Sequence, residues 1–288
     1  MNLNLKNITF IIVTFKSDKI IDDCLQSLPK ESNKIVIENS KDINLKKELE
    51  IKYDNIEVII SENNGMGASN NIGLKKCSTQ FAYVINPDVK LRDDSIRKII
   101  DAVKLIDDFS ILSPANDDLN HPNYFIKGKY KNINNNIISV DHLDGFSLLI
   151  NLKNFKDKVF FDESFFLYLE NDDLCLRTKK KNENIYLIKD SIIEHLGASS
   201  SNQDQFKELE YSRNWHWMWS KFYYNKKHFG YSKALLSISS SFVSSILKFI
   251  FYLITLNEEK KNIYKMRISG ICNSIIGKNS WYRPKIKI

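Results

Sequence analysis

Short runs of β-branched and aromatic residues alternate with stretches of helical character through the first half of this chain. The runs predict strands over Ile8–Thr14, Lys34–Glu38, Ile56–Ser61 and Phe81–Asn86. The stretches between them predict helices over Asp18–Leu28, Leu45–Lys52 and Met66–Cys77. Strands that alternate with helices in this way form right-handed parallel crossovers. The alternation therefore predicts an α/β fold in which helices cover both faces of a doubly wound, mainly parallel sheet.

The regular alternation stops at Asp117, and the Asn-rich stretch up to Asp141 predicts a loop or an irregular hairpin. The elements predicted after it are a strand over His142–Ile150, a helix over Glu170–Lys181, a strand over Ile185–Ile188 and a short returning segment over Asp190–His195. We therefore expect one domain over residues 1–203, with halves at about 1–116 and 140–203. A helical C-terminal region is expected over residues 204–288.

Composition excludes a disordered protein and a disulfide-rich secreted domain. The chain has 288 residues, of which 43% are hydrophobic, and this is enough to bury a sizeable core. Its four cysteines form no Cys-x-x-Cys pair, and Met1–Asn7 lacks the apolar segment of a secretory leader. We therefore expect free thiols, no structural zinc and a cytoplasmic location.

The net charge is +7, and much of the excess lies after Asn257, where eight basic residues accompany two acidic ones. No recognisable nucleic-acid module accompanies this charge, so we expect no nucleic-acid partner. An anionic membrane surface and a phosphorylated substrate are the partners that remain.

Residues 235–256 predict an amphipathic helix. Its apolar stripe comprises Leu235, Ile238, Phe242, Ile246, Phe249 and Leu253, and its opposite side carries Ser240, Ser241, Ser244, Ser245 and Lys248. Three alternatives stay open: a helix lying in a membrane interface, a helix packed in a core, and a true span of a bilayer core of about 30 Å. Lys248 and the serines argue against the span, and the neighbouring lysines would favour anionic lipid.

The segment Phe81–Val89 carries the clearest sign of a functional site. An apolar run ends at Asn86, and Pro87 then holds Asp88 beyond it, because proline cannot donate to a sheet and favours an extended preceding residue. Asp88 is therefore predicted in a loop at the edge where open α/β sheets bind ligands. The alternative is that Asp88, with Asp93 and Asp94, caps the helix predicted near Ser95.

Polar residues also follow the other predicted strands at this edge. Thr14 ends the first strand and Glu38 the second, although capping of the next helix explains Thr14 and the nearby Ser40 equally well. The turn Asn63–Gly73 combines glycines with small residues ahead of a helix, so its backbone amides can approach anionic oxygens closely.

Together these motifs resemble family 2 glycosyltransferases of the GT-A fold, especially the rhamnosyltransferase-like bacterial members that build cell-surface polysaccharides. The resemblance covers about residues 8–201. It rests on the Asn63–Gly73 turn, on Asn86-Pro87-Asp88 where the family has its Asp-x-Asp motif, and on the segment Phe161–Arg177.

The resemblance implies a role for each matching position. The implied nucleotide-sugar-binding residues are Thr14, Glu38, Asn63, Gly65, Asn71, Asn86 and Asp88. Asp88 would also reach a divalent cation, Mg²⁺ or Mn²⁺, on the diphosphate, with His195 as a further metal ligand. On residue type alone, a lone histidine that closes a strand is more often structural. Asp144 and Gly145 would border the acceptor sugar, although Asp144 is equally plausible as a turn residue.

A carboxylate must take the proton of the attacking sugar hydroxyl, which is a poor nucleophile. Glu170, Asp172 and Asp173 are the candidates, and the alternative is that acids in a first turn only stabilise the helix dipole. Asn171 stands where the family has the aspartate that is usually regarded as the base. Asparagine cannot accept the proton, so we predict Glu170 as the catalytic base and Asp172 as second choice. Glu38 also replaces the usual aspartate, which leaves the nucleoside preference open.

The resemblance implies an inverting, metal-dependent glycosyltransferase. We expect dTDP-rhamnose as donor, with UDP-hexoses next, and a growing, lipid-linked cell-surface glycan as acceptor at the cytoplasmic face of the inner membrane. One alternative is a degenerate homologue that binds nucleotide sugars as a scaffold. Another is a sugar-phosphate nucleotidylyltransferase, whose Gly-rich basic opening is absent around Thr14–Lys19. The oligomeric state is open.

Overall fold

The computed structural model describes residues 3–18, 20–128, 132–197 and 203–284, with side chains from residue 207 onward in the last range. The chain divides into two compact units. The first comprises residues 1–162 and 171–200, and the second comprises residues 163–170 and 201–288. Ser201, where the family resemblance ends, lies outside the described residues, as do residues 129–131 of the Asn-rich insertion.

A mixed sheet forms the centre of the first unit. Its strands are β1 Ile8–Thr14, β2 Asn33–Glu38, β3 Ile56–Ile60, β4 Phe81–Ile85, β5 Val89–Leu91, β6 Ile111–Asn116, β8 Ile137–Ser139, β10 Ser147–Asn151 and β11 Ile185–His195. Their order across the sheet is β3-β2-β1-β4-β10-β6-β11-β5, and β8 pairs with β11. A separate ribbon contains β7 Tyr124–Phe125 and β9 His142–Leu143. The accompanying helices are α1 Ile21–Ser27, α2 Ile43–Lys52, α3 Met66–Lys76, α4 Ser95–Lys104 and α5 Glu170–Lys180, of which Glu170 is grouped with the second unit.

The strands that come first in the sequence, β1 to β4, form the parallel half of the sheet. β1 pairs in parallel with β2 and β4, and β2 pairs in parallel with β3. All residues of β1 are buried, which explains why five of its seven residues are apolar. Its alternate residues face opposite layers, because Phe10 and Ile12 join one hydrophobic cluster while Ile11 joins another. Gly73 lets α3 approach β1, since a Cβ atom at this position would lie 2.5 Å from Ile11 Cγ2.

The other half of the sheet departs from the sequence prediction at one strand. The stretch His142–Ile150 forms two strands, β9 and β10, separated by the turn Asp144–Phe146. β9 pairs with β7, whereas β10 enters the main sheet antiparallel to both β4 and β6. The single-strand prediction is wrong because apolar residues continue on both sides of the turn. Conversely, the two segments predicted between Ile185 and His195 form one strand, β11, whose register shifts between Ile188 and Ile192.

Three long helices make up most of the described part of the second unit: α6 Gln203–Phe229, α7 Tyr231–Ile254 and α8 Glu258–Ile275. Their shared core contains Phe222 of α6, Ile238 of α7 and Ile271 of α8. Gly270 of α8 lies so close to α6 that a Cβ atom there would overlap the backbone carbonyl of Trp215. These helices therefore pack backbone against backbone at this crossing.

The inner and outer sides of α7 differ from the sides predicted from sequence. Ser245 is buried, and its hydroxyl donates to the Ser241 carbonyl at 2.6 Å. Leu236 and Leu247, which lie outside the predicted stripe, are 74% and 62% exposed. The predicted division into one apolar side and one serine side is therefore wrong at these positions.

Residues 163–170 pack against α6 within the second unit. Phe165 meets Tyr223 edge-on at a ring-centroid distance of 4.9 Å, and Phe166 stacks on His216 at 4.5 Å. The Leu167 carbonyl accepts a hydrogen bond from Ser220 Oγ at 2.8 Å. The aromatic composition of α6 thus serves to hold this short segment.

We expect His216 to make the second unit sensitive to acid. Its Nε2 donates to the Tyr282 carbonyl at 2.8 Å, and its Nδ1 lies 2.9 Å from Ser280 Oγ. Burial lowers the pKa of His216 from 6.5 to about 4, so the unfolded chain takes up a proton between these values while the folded chain does not. The free energy of unfolding should therefore be highest above pH 6.5 and fall by about 3 kcal/mol as the pH approaches 4.

Thermal unfolding of His216→Gln, followed from about pH 7 to pH 4, should show a shallower loss of Tm with acid than the parent. His121 provides the control, because its side chain is 83% exposed and His121→Gln should leave the slope unchanged. Equal slopes in the parent and in His216→Gln would contradict the assignment.

Candidate active site

Asp88 lies in the tight loop that joins β4 to β5. The Val89 amide closes this loop on the Asn86 carbonyl at 3.2 Å. The helix-capping alternative is wrong for Asp88, because α4 begins at Ser95 and Asp94 occupies its N-cap position. The predicted position beyond the strand end is therefore confirmed.

His195 is brought to Asp88 by the pairing of β5 with the end of β11. Val89 lies opposite His195 in this antiparallel pair, and the Leu196 amide donates to the Asp88 carbonyl at 2.9 Å. His195 Nε2 consequently lies 3.3 Å from Asp88 Oδ2. The other carboxylate oxygen, Oδ1, is buried without a hydrogen-bond partner among the described residues.

This pair has the donor chemistry of a site for a divalent cation. A buried carboxylate oxygen that lacks a partner carries a desolvation cost, which a bound cation would remove. Carboxylate oxygen and imidazole nitrogen both suit Mn²⁺, and carboxylate oxygen suits Mg²⁺. Within the described residues no cluster of three or more His, Cys, Asp or Glu side chains could hold an ion.

The turn Asp144–Phe146 lies directly beside the Asp88–His195 pair. Phe146 stacks on the His195 ring at a centroid distance of 4.2 Å. Its carbonyl accepts a hydrogen bond from the Asn86 amide at 2.9 Å, which ties the turn to the end of β4. The β9–β10 turn and the β4–β5 loop thus share one edge of the sheet.

The same turn also reaches an acidic cluster through His142. Asp144 Oδ1 lies 3.0 Å from His142 Nε2, and Asp172 Oδ1 lies 3.4 Å from His142 Nδ1. His142 is buried under Phe125, which stacks on it at 4.5 Å. One imidazole therefore connects Asp144 at the turn with Asp172 of α5.

Sequence reasoning missed His142. Its separation from Asp172 gives no periodic signal, and the sequence pattern places His142 at the start of a predicted strand. Only the pairing of β9 with β7 buries the imidazole and directs it between the two carboxylates. That contact is long-range and cannot be read from local pattern.

Burial raises the pKa of Asp172 above its usual range, while His142 acts in the opposite direction and Asp144 in the same direction. A raised pKa makes a carboxylate a better proton acceptor. The side chain of Asp172 is 24% exposed, so it is not sealed from solvent. These properties suit the second-choice base of the sequence prediction.

Asn171 fastens the start of α5 to the β9–β10 turn. Its Nδ2 donates to the Leu143 carbonyl at 3.1 Å. Gly145 leaves room for it, since a Cβ atom on Gly145 would lie 3.2 Å from Asn171 Cβ. Asp173 has a structural contact, because its carboxylate accepts from Arg177 Nε at 2.8 Å.

Glu170 is the first residue of α5 and is grouped with the second unit. It is 9% exposed and follows Tyr168 and Leu169, whose φ angles of 70° and 68° are left-handed. This strained pair ends the segment that packs on α6. Its assignment as base stays a prediction.

The two residues predicted to face a nucleoside lie at the ends of β1 and β2. Thr14 is fully buried, and its hydroxyl has no hydrogen-bond partner among the described residues. Glu38 accepts hydrogen bonds from the Ser40 amide at 2.8 Å and the Asp42 amide at 2.7 Å. Glu38 therefore shapes the loop after β2, and its contact with a nucleoside stays a prediction.

The glycine-containing turn leads into α3 as predicted. Gly65 occupies the N-cap position with a φ angle of 105°, a conformation that favours glycine, and no side chain caps the helix. Asn63 Oδ1 accepts from the Gly65 amide at 3.4 Å. Asn71 is buried, and its side-chain amide makes hydrogen bonds of 2.9 and 3.0 Å to the Phe161 backbone. Asn71 thus anchors the Phe161 segment to α3, and its predicted place in a donor pocket is not tested by these contacts.

Comparison with known proteins gives a family match and fold likenesses. The sequence model for the family described as Glycosyl transferase family 2 matches residues 9–169. The Low-salt glycan biosynthesis hexosyltransferase Agl10 of Haloferax volcanii is 25% identical over 202 residues, which cover 63% of this chain and 64% of that protein. The chain therefore matches less than two thirds of that relative's length.

Solved structures give the fold. The mannosyltransferase PcManGT of Pyrobaculum calidifontis, in complex with GDP-Man and Mn²⁺, has a TM-score of 0.56 at 10% identity and covers 93% of this chain and 87% of that one. GalNAc-T7 with UDP, GalNAc and Mn²⁺ has a TM-score of 0.54 at 12% identity, with 84% and 58% covered. Likeness at such identity speaks to architecture alone, and the predicted GT-A fold is confirmed.

Proposed function

The chain belongs to glycosyl transferase family 2, and we propose that it transfers a sugar from a nucleotide-sugar donor to a hydroxyl group of a growing glycan with inversion. The observation that carries this proposal is the turn Asp144–Phe146. Phe146 contacts His195 of the candidate metal pair, and Asp144 contacts His142 of the acidic cluster. Groups that could hold a cation on the leaving diphosphate and groups that could accept a proton are thereby held at one edge of the sheet.

Asp88 and His195 are the residues that would hold a divalent cation in this proposal. When bound, such a cation neutralises the negative charge that develops on the departing nucleoside diphosphate. Gly65 would contribute at the same edge, because the uncapped start of α3 presents backbone amides to anionic oxygens.

The transfer step needs a proton acceptor on the side of the incoming hydroxyl. The acceptor oxygen forms a bond to the anomeric carbon, the bond from that carbon to the diphosphate oxygen breaks, and the hydroxyl proton goes to a carboxylate. Attack opposite to the leaving group inverts the centre. We propose Glu170 as that carboxylate and Asp172 as the second candidate, with Asp144 and Gly145 bordering the acceptor.

We propose dTDP-rhamnose as the donor, with UDP-hexoses next. Support for a hexose comes from the name of the Haloferax volcanii relative, a glycan biosynthesis hexosyltransferase. GDP-mannose belongs in the test panel because a structural neighbour was solved with it. We further propose that the acceptor glycan is lipid-linked and that transfer takes place at the cytoplasmic face of the inner membrane.

Donor binding and turnover test the proposal together. The full chain is heated with dTDP-rhamnose, UDP-glucose or GDP-mannose, with MnCl₂ or with EDTA. The correct donor should raise Tm progressively with its concentration and only with the metal, because it binds the folded chain. Release of nucleoside diphosphate, measured with a panel of glycan acceptors, then reports transfer.

Other outcomes would select the alternatives. Binding without turnover across all donors and acceptors would favour the scaffold, which the presence of Asn171 allows. Formation of pyrophosphate from a sugar phosphate and a nucleoside triphosphate would indicate a nucleotidylyltransferase. No stabilisation by any donor would contradict nucleotide-sugar binding itself.

A further inference from the structure

The outward side of α7 carries an apolar band that no described residue of the second unit covers. The band, called here the outer band, consists of Leu236, Val243, Leu247, Ile250 and Ile254. These residues are between 46% and 75% exposed. Their spacing places them on one side of the helix, and they extend over about 27 Å. A soluble surface rarely exposes an apolar strip of this length to water, although the exposed Ser239 and Ser240 interrupt it between Leu236 and Val243.

The inner side of the same helix is occupied. Ala234 and Ile238 are buried in the core shared with α6 and α8. Ser245 is also buried, on the same side as these two residues. The Tyr252 ring stacks on Tyr264 of α8 at 5.7 Å. α7 is therefore fixed along its length to two neighbouring helices.

This fixation argues against one of the alternatives that the sequence left open, the true span. α7 is the one helix among the described residues whose length and composition would permit a membrane span, and only 17% of its most apolar window is buried. A span would carry the helices packed on its inner side into the bilayer as well, and α6 and α8 are rich in charge. A helix with one side packed and the other apolar is suited to lie flat in an interface.

The net charge of the C-terminal region indicates what kind of surface the outer band contacts. Residues 204–288 contain 15 Lys or Arg and 5 Asp or Glu, a net charge of +10. Residues 1–203 contain 27 Lys or Arg and 30 Asp or Glu, a net charge of −3. The excess positive charge of the whole chain thus belongs entirely to the region that carries the outer band.

Exposed lysines also flank the outer band at both ends. Lys233 lies at the start of α7, next to Lys226 and Lys227 at the end of α6, and all three are exposed. Lys260 lies beyond the other end, at the start of α8, and is also exposed, although it follows the exposed Glu258 and Glu259. Basic residues beside an apolar strip attract anionic lipid headgroups while the apolar side chains enter the acyl boundary.

We propose that the outer band lies in the interface of an anionic lipid bilayer, with α7 parallel to the membrane plane and its flanking lysines at the headgroups. This placement deepens the membrane location in the proposed function. The placement is tested by measuring vesicle binding without any turnover. A failure of membrane binding can therefore be distinguished from a failure of transferase activity.

Vesicle flotation with the full chain tests the placement. Vesicles of phosphatidylcholine alone are compared with vesicles that contain about 30 mol% phosphatidylglycerol. The parent chain should float with the anionic vesicles, and Leu236→Glu/Leu247→Glu should float at least about tenfold less. Ile51→Glu/Leu119→Glu is the matched control, because Ile51 and Leu119 are 87% and 89% exposed in the first unit, and it should float as the parent does.

The remaining outcomes decide against the proposal. Equal flotation of the parent and of Leu236→Glu/Leu247→Glu would remove the outer band from the contact, and equal loss in the control would make the effect nonspecific. A parent chain that stays with the vesicles after alkaline carbonate washing would span the bilayer instead. A parent that does not float, but forms a dimer in light scattering that the double variant abolishes, would assign the outer band to a second copy of the chain.

Discussion

Asp88→Asn is expected to lower kcat by about 10³-fold while leaving Tm close to that of the parent. The substitution keeps the shape of the side chain and removes its charge. Asp88 Oδ1 is buried without a partner among the described residues, and Oδ2 faces His195, so the carboxylate makes few contacts that the fold would miss. What is lost is the proposed anionic ligand for a cation at the donor diphosphate. Initial rates with the donor found by thermal shift, at saturating Mn²⁺, measure the effect.

Asp93→Asn is the matched control for this prediction. Asp93 lies five residues further along and is exposed. From sequence alone, Asp93 and Asp88 are equally plausible as residues that cap the next helix. It should keep parental activity. His195→Gln should raise the Mn²⁺ concentration required for half-maximal rate, since it removes the second donor of the pair. A kcat for Asp88→Asn within about threefold of the parent would show that the cation is held elsewhere.

Glu170→Gln is expected to lower kcat by about 10³-fold without weakening donor binding, because it removes the proposed acceptor of the hydroxyl proton and keeps the side-chain volume. Asp172→Asn should have a smaller effect, through loss of its contact with His142. Single-turnover transfer rates and donor-induced Tm shifts, measured on both variants, separate chemistry from binding.

Asp173→Asn controls for damage to α5. Asp173 is fully buried and pairs with Arg177, so its substitution should lower Tm by breaking a buried pair rather than abolish transfer in the folded chain. Near-parental transfer in Glu170→Gln together with loss of transfer in Asp172→Asn would assign the base to Asp172. Its pKa, raised by burial, makes that outcome chemically reasonable.

The parallel half of the sheet and the loop position of Asp88 could be predicted because their signals are local. The run Ile8–Thr14 consists of β-branched residues and one phenylalanine, and it is buried throughout. Pro87 ends β4 at the point where proline chemistry requires an end, and His195 closes β11 as expected. Each of these features depends on a few neighbouring residues, which a single sequence contains.

The features that escaped prediction depend on contacts between distant segments. The break between β9 and β10 is made by pairing with β7 on one side and with β4 and β6 on the other. His142 gains its place between Asp144 and Asp172 only through that pairing. On α7, hydrophobic periodicity identified a helix but could not tell which apolar residues its neighbours cover, since both sides carry leucine and isoleucine.

The packing of residues 163–170 against α6 makes the second unit discontinuous along the chain. A fragment ending at residue 203 would retain Phe165 and Phe166, now 0% and 6% exposed, without the aromatic partners that enclose them. Chimeras that exchange the C-terminal helices between relatives would meet the same mismatch unless residues 163–170 are exchanged with them. Two separate segments of the chain, residues 163–170 and 201–288, therefore make up the second unit, and the shorter segment ends in Glu170.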